Sequence, residues 1–135
     1  MLHQFSFSKK EHLCGETRIN KLYTEGKAFI AYPLRVVYLF VKTEDEVSAK
    51  IMVNVPKKRF KRAVKRNRLK RLMREAYRLN KTLLINILSE NNMNIYISFN
   101  YVSDEESDFA TIEQKIKAAL LKITEKINSK TLSDI

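Results

Sequence analysis

The amino-acid sequence predicts an α/β fold of the α+β type, a two-layer sandwich in which helices cover one face of a small sheet. Runs of β-branched and aromatic residues alternate with segments of helical periodicity, in the order α-β-β-β-α-β-α. The chain has 135 residues, of which 44% are apolar, so it has the length of one domain and enough apolar side chains for one core. Residues 1–135 are therefore predicted to form a single domain.

The chain begins with a predicted N-terminal arm and a short first helix. In residues 1–15, Phe5 and Phe7 alternate with polar neighbours, which is typical of an extended segment. Apolar residues recur at helical spacing over Arg18–Glu25, and Gly26 is a typical helix stop.

Three predicted strands follow, because β-branched and aromatic residues dominate the next segment and prolines interrupt it. The strands are Phe29–Tyr32, Leu34–Lys42 and Ala49–Val55, with Pro33 after the first, an acidic turn at Thr43–Glu46 after the second, and Pro56 after the third.

The second half is predicted to contain a basic helix over Arg62–Leu79, a strand over Asn94–Phe99 and a last helix that Asp108 could cap. The apolar stripe of the basic helix comprises Leu69, Leu72, Met73, Ala76 and Leu79. The stripe of the last helix comprises Phe109, Ile112, Ile116, Leu120, Ile123 and Ile127, and residues 129–135 are expected to be a frayed tail.

The net charge of +11 lies in one segment. From Lys57 to Arg78 there are twelve Lys or Arg residues and a single acid, Glu75, whereas the rest of the chain holds equal numbers of basic and acidic residues. Several of these cations stand at successive i, i+4 positions of the predicted helix, where each like-charge pair costs roughly 0.2–0.5 kcal/mol. Ordinary solvated helix faces mix both signs. A face of one sign therefore predicts a polyanion partner, and nucleic acid is the leading class.

Other classes of protein fit less well. A membrane-surface helix would expose its apolar stripe, whereas this stripe suits a core position between two strands. Flanking strands also argue against a helix-turn-helix module that binds DNA. A structural or ribosomal RNA-binding protein stays open as an alternative. The sequence has no apolar run long enough for a membrane helix and no signal peptide, and its one cysteine, Cys14, fits a reducing compartment, so the expected location is the cytoplasm.

No protein-based active site or metal site is predicted. Cys14 has no histidine at an interpretable spacing, and two histidines are too few for a metal cluster. Gly15 and Gly26 alone cannot build a phosphate-binding glycine loop. The acidic segment Asp104–Asp108 is expected to be a solvated loop that leads into the last helix.

The segment from Ala63 to Arg78, AVKRNRLKRLMREAYR, resembles the protein component of bacterial ribonuclease P. The family signature is an alanine and valine, then Arg-Asn-Arg, a Lys-Arg pair and Arg-Glu. VNVPKK resembles the family's strand that ends in paired lysines, and LYTEGK its aromatic-x-x-Gly at the end of the first helix. RVVYLF, NIYISF and the last helix match the remaining order, so the resemblance covers most of residues 5–128.

This resemblance implies a ribosomal-protein-like fold in which the Arg-Asn-Arg helix makes a left-handed βαβ crossover. It also implies that the protein is the non-catalytic subunit of a ribonucleoprotein endonuclease. Such a subunit pairs with a catalytic RNA, and together they remove the 5′ leader of precursor tRNA with Mg²⁺. The RNA then carries the chemistry, the partners are the ribonuclease P RNA and precursor tRNA, and neither DNA nor a membrane is involved.

Transferred by position, the resemblance predicts two sets of site residues. The RNA-binding set is Lys57, Lys58, Arg62, Arg66, Asn67, Arg68, Lys70, Arg71 and Arg74. The cleft for the single-stranded leader is predicted to use Phe5, Phe7, Ile19, Tyr23 and Tyr38. The chain departs from the family pattern at Ile19, which is often phenylalanine, and at residues 59–62, where the turn is longer and lacks a glycine.

Overall fold

A four-stranded mixed sheet and four α-helices make up the fold in the computed structural model, which describes residues 7–42 and 47–133, with side chains as far as Asn128. A 3₁₀ turn at Lys9–Glu11 precedes the first helix. The helices and strands are α1 (Glu16–Glu25), β1 (Lys27–Ala31), β2 (Leu34–Val41), β3 (Ala49–Asn54), α2 (Ala63–Asn80), α3 (Thr82–Glu90), β4 (Asn94–Tyr101) and α4 (Phe109–Ser133).

The strands are ordered β1-β2-β4-β3 across the sheet. β2 pairs antiparallel with both β1 and β4, whereas β3 pairs parallel with β4. A parallel pair needs a long crossover, and α2 and α3 provide it. The predicted α/β class and βαβ unit are therefore confirmed, and the left-handed sense of the crossover stays a prediction.

One face of the sheet, the closed face, packs against α2, α3 and α4 and forms the main core. Strand residues such as Val36, Ile97 and Phe99 are fully buried there. The predicted stripe of α4 is confirmed, because Ile112, Ile116, Leu120, Ile123 and Ile127 are all buried and Phe109 packs partly buried against them.

The helical region between β3 and β4 differs from the prediction in two ways. Residues 82–90 form α3, which the sequence analysis did not identify. In α2, Leu79 was wrongly assigned to the core, since its side chain is 39% exposed while Tyr77 is fully buried. The chain turns at Lys81 into α3. In the last turns of α2 the side chain that enters the core is therefore Tyr77, and Leu79 lies outside the buried stripe.

Helix ends follow the predicted signals. Gly26 is the C-cap of α1, and a Cβ at this position would collide with the carbonyl oxygen of Leu22 and lie 2.9 Å from that of Tyr38, so close approach is what requires glycine. Asp108 caps α4 by accepting a hydrogen bond from the Thr111 amide at 2.9 Å. Hydrogen bonding to Thr111, first to its side chain and then to its amide, lowers the pKa of the Asp108 carboxyl.

The N-terminal arm is docked against the rest of the fold and is only partly extended. Lys81 and Glu11 form a buried ion pair, and the Ser8 amide donates to Glu11 Oε2 at 2.6 Å. α4 continues to Ser133, through most of the segment that was expected to be frayed. The predictions for Phe5, for the turn at Thr43–Glu46 and for residues 134–135 lie outside the described residues.

Candidate RNA-binding surface

Basic side chains of the 57–62 turn and of the solvent-facing side of α2 form one continuous charged region, which we call the cationic surface. It comprises Lys57, Lys58, Lys61, Arg62, Lys65, Arg68, Lys70, Arg71 and Arg74, all exposed except the half-buried Lys70. Arg62 is the N-cap of α2 but makes no capping hydrogen bond through its side chain within the described structure. The free amide groups at the amino end of α2 therefore adjoin the same surface and favour anions.

Arg66 has a different role from its neighbours on α2. Its Nη1 donates hydrogen bonds to the carbonyl oxygens of Phe60 at 2.7 Å and Lys61 at 2.8 Å. The guanidinium therefore folds back onto the turn that precedes α2. This explains how a turn that lacks glycine keeps a defined path, because two of its carbonyl groups have a charged donor.

Three cations near the amino end of α2 pair with the loop that joins β4 to α4. Arg59 Nη1 lies 3.0 Å from Asp104 Oδ1, and Arg68 Nη1 lies 3.1 Å from Glu106 Oε1. Lys65 Nζ lies 3.7 Å from the other oxygen of Glu106. This loop was expected to be a solvated loop, and the structure places it in contact with the cationic surface.

The remaining cations have no such partner. Within residues 7–42 and 47–128, no acid lies within ion-pairing distance of the following six members of the predicted RNA-binding set: Lys57, Lys58, Arg62, Lys70, Arg71 and Arg74. Mutual repulsion among these cations is therefore not offset by the described protein. We call these six residues the unpaired set.

The second face of the sheet, the open face, carries only α1 among the described helices. The strand register places Asn54, Asn100 and Arg35 side by side across β3, β4 and β2. Asn54 Nδ2 donates to Asn100 Oδ1 at 3.4 Å. The member of this polar row on β3, Asn54, lies three residues before Lys57. The row therefore leads towards the cationic surface.

Tyr23 of α1 stands over this polar row with a ring that is 43% exposed. Its hydroxyl group hydrogen-bonds to Ser98 Oγ at 2.7 Å and donates to Asn100 Oδ1 at 3.0 Å. Asn100 Nδ2 in turn donates to Ser98 Oγ at 3.1 Å. The hydroxyl group of Tyr23 is therefore fixed by hydrogen bonds, and its ring keeps an exposed surface that the core does not cover.

The structure brings together only part of the predicted leader cleft. Ile19 is half-buried and lies with Tyr23 on the α1 side of the sheet. Tyr38 lies on the closed face, 6% exposed and edge-on to Phe29 and Phe40, each with ring centroids 5.9 Å away. That burial raises the pKa of the Tyr38 hydroxyl. Tyr23 and Tyr38 therefore do not line one surface.

Phe7 lies in a third place, beside β3. Its ring stacks on His12 with centroids 4.2 Å apart and meets Tyr77 edge-on at 5.6 Å. Phe7, His12 and Arg74 line a cavity of about 210 Å³ together with residues of β3. Phe7 is thus placed near the cationic surface, next to Arg74.

Sequence reasoning did not identify Arg35, Asn54, Ser98 or Asn100 as surface-forming residues. The signal was available for β4, in which apolar Ile95, Ile97 and Phe99 alternate with Ser98 and Asn100. Such alternation places the two polar residues on the face opposite to the core. Their hydrogen bonds to Tyr23 join residues far apart in the chain, and no local pattern indicates them.

The described residues contain no group of three or more His, Cys, Asp or Glu side chains arranged to hold a metal ion. None of the helices described is long and apolar enough to span a membrane.

A mixed sheet with a basic crossover helix and a polar row on its open face defines a small basic α/β protein, and comparisons with known proteins identify the family. A family model described as Ribonuclease P matches residues 7–124. The ribonuclease P protein component of Porphyromonas gingivalis is 47% identical over 130 residues, which are 96% of this chain and 95% of that protein. The chain therefore belongs to the ribonuclease P protein family, and its role lies in tRNA processing as the protein component of an endoribonuclease.

Two solved structures share the fold. The Thermotoga maritima RNase P protein superposes with a TM-score of 0.62 at 24% identity, covering 82% of this chain and 94% of that one. The Staphylococcus aureus RNase P protein superposes with a TM-score of 0.64 at 18% identity, covering 84% and 94%. The mixed sheet and helix order described above are thus the family fold.

Proposed function

We propose that this chain binds the catalytic RNA of ribonuclease P through its cationic surface and the 5′ leader of precursor tRNA through its open face. The observation that supports the proposal is the unpaired set, which occurs here in a chain that belongs to the ribonuclease P protein family. Six exposed or half-buried cations lie on one turn and one helix, and no described acid neutralises them. An RNA backbone supplies anions at the spacing needed to offset their repulsion.

The chemistry of the unpaired set suits phosphate. Arg62, Arg71 and Arg74 carry planar guanidinium groups that can donate two parallel hydrogen bonds to one phosphate. Lys57 and Lys58 lie on the turn that leads into α2, whose free amide groups at its amino end favour anions through the helix dipole. Arg66 contributes by holding the turn, so we assign it a positioning role for Lys57 and Lys58 rather than a direct contact.

The open face suits a single-stranded segment. Tyr23 offers an exposed ring, and stacking of an unpaired base on such a ring is worth roughly 1–3 kcal/mol. The exposed Asn54 and Arg35 supply an amide and a guanidinium group beneath it for base edges and phosphates, and the buried Asn100 holds the Tyr23 hydroxyl in place. Ile19 adds an apolar contact on the same helix. We retain Tyr23 and Ile19 in the proposed leader cleft and exclude Tyr38, because its ring is buried on the closed face.

In this proposal the RNA carries out the hydrolysis, and the protein supplies binding and orientation. Mg²⁺ serves the RNA and the scissile phosphate. The unpaired set lowers the electrostatic repulsion between two RNAs, which low Mg²⁺ leaves poorly screened. The open face adds affinity that depends on the leader.

Reconstitution with a ribonuclease P RNA transcript tests this function. At low Mg²⁺ the protein is expected to increase cleavage of precursor tRNA and to tighten its binding, while the protein alone cleaves nothing. Extending the leader from one nucleotide to several should strengthen binding only when the protein is present. Unchanged turnover and unchanged leader affinity would refute the proposal. RNA binding that ignores leader length and is unaffected by Tyr23→Ala would favour a structural RNA-binding protein instead.

A further inference from the structure

A cavity of about 210 Å³ lies at the outer edge of the sheet, between the N-terminal arm, β3 and α2. Phe7 and His12 of the arm line it with stacked rings, whose centroids are 4.2 Å apart. Residues 51–53 of β3 form a second side of the cavity, and Arg74 of α2 forms a third. Since the Arg74 side chain is exposed, the cavity opens onto the cationic surface.

Two polar side chains that line this cavity are not used by the rest of the protein. Within residues 7–42 and 47–128, neither the His12 imidazole nor the Arg74 guanidinium makes a hydrogen bond or an ion pair. Burial and the nearby charge of Arg74 lower the pKa of His12, against a smaller opposing effect of Glu11. Glu11 itself is bonded to Lys81 and to the Ser8 amide. The cavity therefore has an uncompensated positive charge beside a free imidazole, which suits an anion.

The aromatic side of the cavity suits a planar group. Phe7 meets Tyr77 edge-on at 5.6 Å and packs against the main core, so its ring is supported from behind. The side chains of Phe7 and His12 are both half-buried, and a flat group that enters the cavity extends their stack. A planar group joined to an anion is the chemistry of a nucleotide. A simple anion would leave the aromatic side of the cavity unused.

We propose that this cavity binds one unpaired nucleotide of the ribonuclease P RNA, with the base against the Phe7 and His12 rings and its phosphate at Arg74. The proposal deepens the function above and rests on it, because Arg74 belongs to the unpaired set that binds this RNA. It also gives Phe7 a different role from the leader cleft that the sequence predicts. Phe7 packs on the closed-face core, whereas the leader is proposed to lie on the open face.

An unpaired nucleotide gives the complex a contact that phosphates alone do not provide. The exposed cations of α2 hold RNA backbone, and every RNA segment has a backbone of that kind. Proteins distinguish one RNA site from another mainly at loops and bulges, where an unstacked base turns outwards and stacks on an aromatic ring. A cavity between the arm and α2 accepts such a base and excludes a base that is held in a duplex. It therefore determines where on the RNA the cationic surface binds.

Nuclear magnetic resonance of His12 tests the cavity with small ligands. His3 is the other histidine of the chain, so His3→Gln leaves one imidazole signal to follow. Uridine 5′-monophosphate at millimolar concentration should shift this signal and raise the pKa of His12, because a phosphate beside Arg74 offsets its charge. Inorganic phosphate or uridine alone should produce less than half of that shift. An equal response to inorganic phosphate would show an anion site without a base and would overturn the proposal.

Binding of a ribonuclease P RNA transcript tests the same cavity in the complex, with Phe7→Leu as the variant and Phe40→Leu as the matched control. Both rings are half-buried, and Phe40 lies on β2 against Tyr38, away from the arm. Leucine keeps apolar packing and removes the flat ring. Phe7→Leu should weaken binding of the transcript about five-fold, the low end of the range for one stacked base. Phe40→Leu should change it less than two-fold.

His12→Ala is a second variant, which leaves Phe7 in place. The bridge between His12 and Ile51 is formed by the backbone, so the arm keeps this contact when the imidazole is removed. His12→Ala should also weaken binding of the transcript several-fold. Both cavity variants should leave the gain in affinity from a longer leader unchanged, because the open face is intact. Circular dichroism and urea unfolding check that each variant is folded.

Chemical probing of base edges locates the nucleotide. One unpaired base of the transcript should be protected by the unaltered protein and modified again when Phe7→Leu saturates the RNA. Three results would overturn the proposal: no such protected base, equal weakening by Phe7→Leu and Phe40→Leu, or a loss in the cavity variants that grows with leader length. In each case the unaltered protein still stimulates precursor-tRNA cleavage, whereas a failure of the proposed function itself appears as no stimulation by the unaltered protein.

Discussion

The two faces of the sheet use the same strands for different purposes. In β4, Ile97 and Phe99 point into the closed face and are fully buried among α2, α3 and α4. Ser98 and Asn100 point to the open face, where they are also buried but hydrogen-bond to the exposed Tyr23. The closed face therefore supplies the main apolar core. Beside a second, smaller apolar cluster under α1, this part of the open face supplies a rigid polar support for a surface ring. Adjacent residues of one strand should then respond very differently to substitution.

The largest expected effect lies on the closed face. Phe99→Ala removes a fully buried ring and should lower the free energy of unfolding by about 3–5 kcal/mol. Ser98→Ala, one residue away, removes a single neutral hydrogen-bonding group and should lower it by about 1 kcal/mol. Urea unfolding followed by circular dichroism measures both values. Similar losses for the two variants would contradict the division between the faces.

The next effect concerns the cationic surface that adjoins the open face. With about six to eight phosphate contacts, RNA binding should show a log–log salt slope on the order of −5 to −7. Lys70→Glu with Arg74→Glu removes two contacts and should flatten the slope by about 1.5–2. Lys117→Glu with Lys126→Glu, on exposed positions of α4, is the control with the same change in net charge. An equal flattening in the control would place the RNA elsewhere.

A smaller effect separates the two tyrosines. Tyr23→Ala should reduce the affinity for the leader by roughly 1–3 kcal/mol, because it removes a stacking ring. Tyr23→Phe keeps the ring and should retain most of that affinity. Tyr38→Phe, on the closed face, should leave leader binding unchanged. Competition binding with precursor tRNAs of different leader lengths measures these differences, and a Tyr38→Phe effect as large as that of Tyr23→Ala would contradict the assignment of faces.

The smallest effect lies at the edge of the sheet, where His12 packs on Phe7. Burial, together with the nearby charge of Arg74, lowers the pKa of the His12 imidazole below its ordinary value near 6.5. A lowered pKa means that protonation favours the unfolded chain. The associated stability is present above about pH 6.5 and is lost as the pH falls through the folded-state pKa. His12→Gln should make the urea midpoint less dependent on pH between about 7.5 and 5.5, and an unchanged pH dependence would contradict this.

Strong periodicity made most of the fold predictable. β3, β4 and α2 lie within two residues of their predicted bounds because their apolar residues repeat with a clear period, and the same periodicity identified the buried stripe of α4. β2 was bounded by its run of β-branched and aromatic residues, whereas α4 continues to Ser133, beyond the predicted start of the frayed tail. Helix α3 was missed since its sequence, TLLINILSE, is a short and nearly continuous apolar run, which periodicity alone cannot assign. In the same way β2 is apolar on both sides, so alternation did not show that Tyr38 belongs to the closed face.

Only the part of the candidate site that is continuous in the sequence was predictable. The basic residues of α2 and its turn are visible in the sequence as an excess of charge. Their division into unpaired cations and cations held by Asp104 or Glu106 depends on contacts across about forty residues of chain. The support of Tyr23 by Ser98 and Asn100, and the return of Arg66 to the Phe60 carbonyl, likewise arise only in the folded chain.

The docked N-terminal arm has a consequence for the behaviour of the protein in concentrated solution. β3 is an outer strand of the sheet, and an uncovered outer strand invites pairing with a second molecule. The arm lies against it, with His12 bridged to Ile51, the Leu13 amide bonded to the Ile51 carbonyl at 2.8 Å, and Lys50 Nζ donating to the Lys10 carbonyl. A chain shortened to begin after Leu13 would present that strand to solvent and gain a route to self-association that the intact chain blocks with its own first residues.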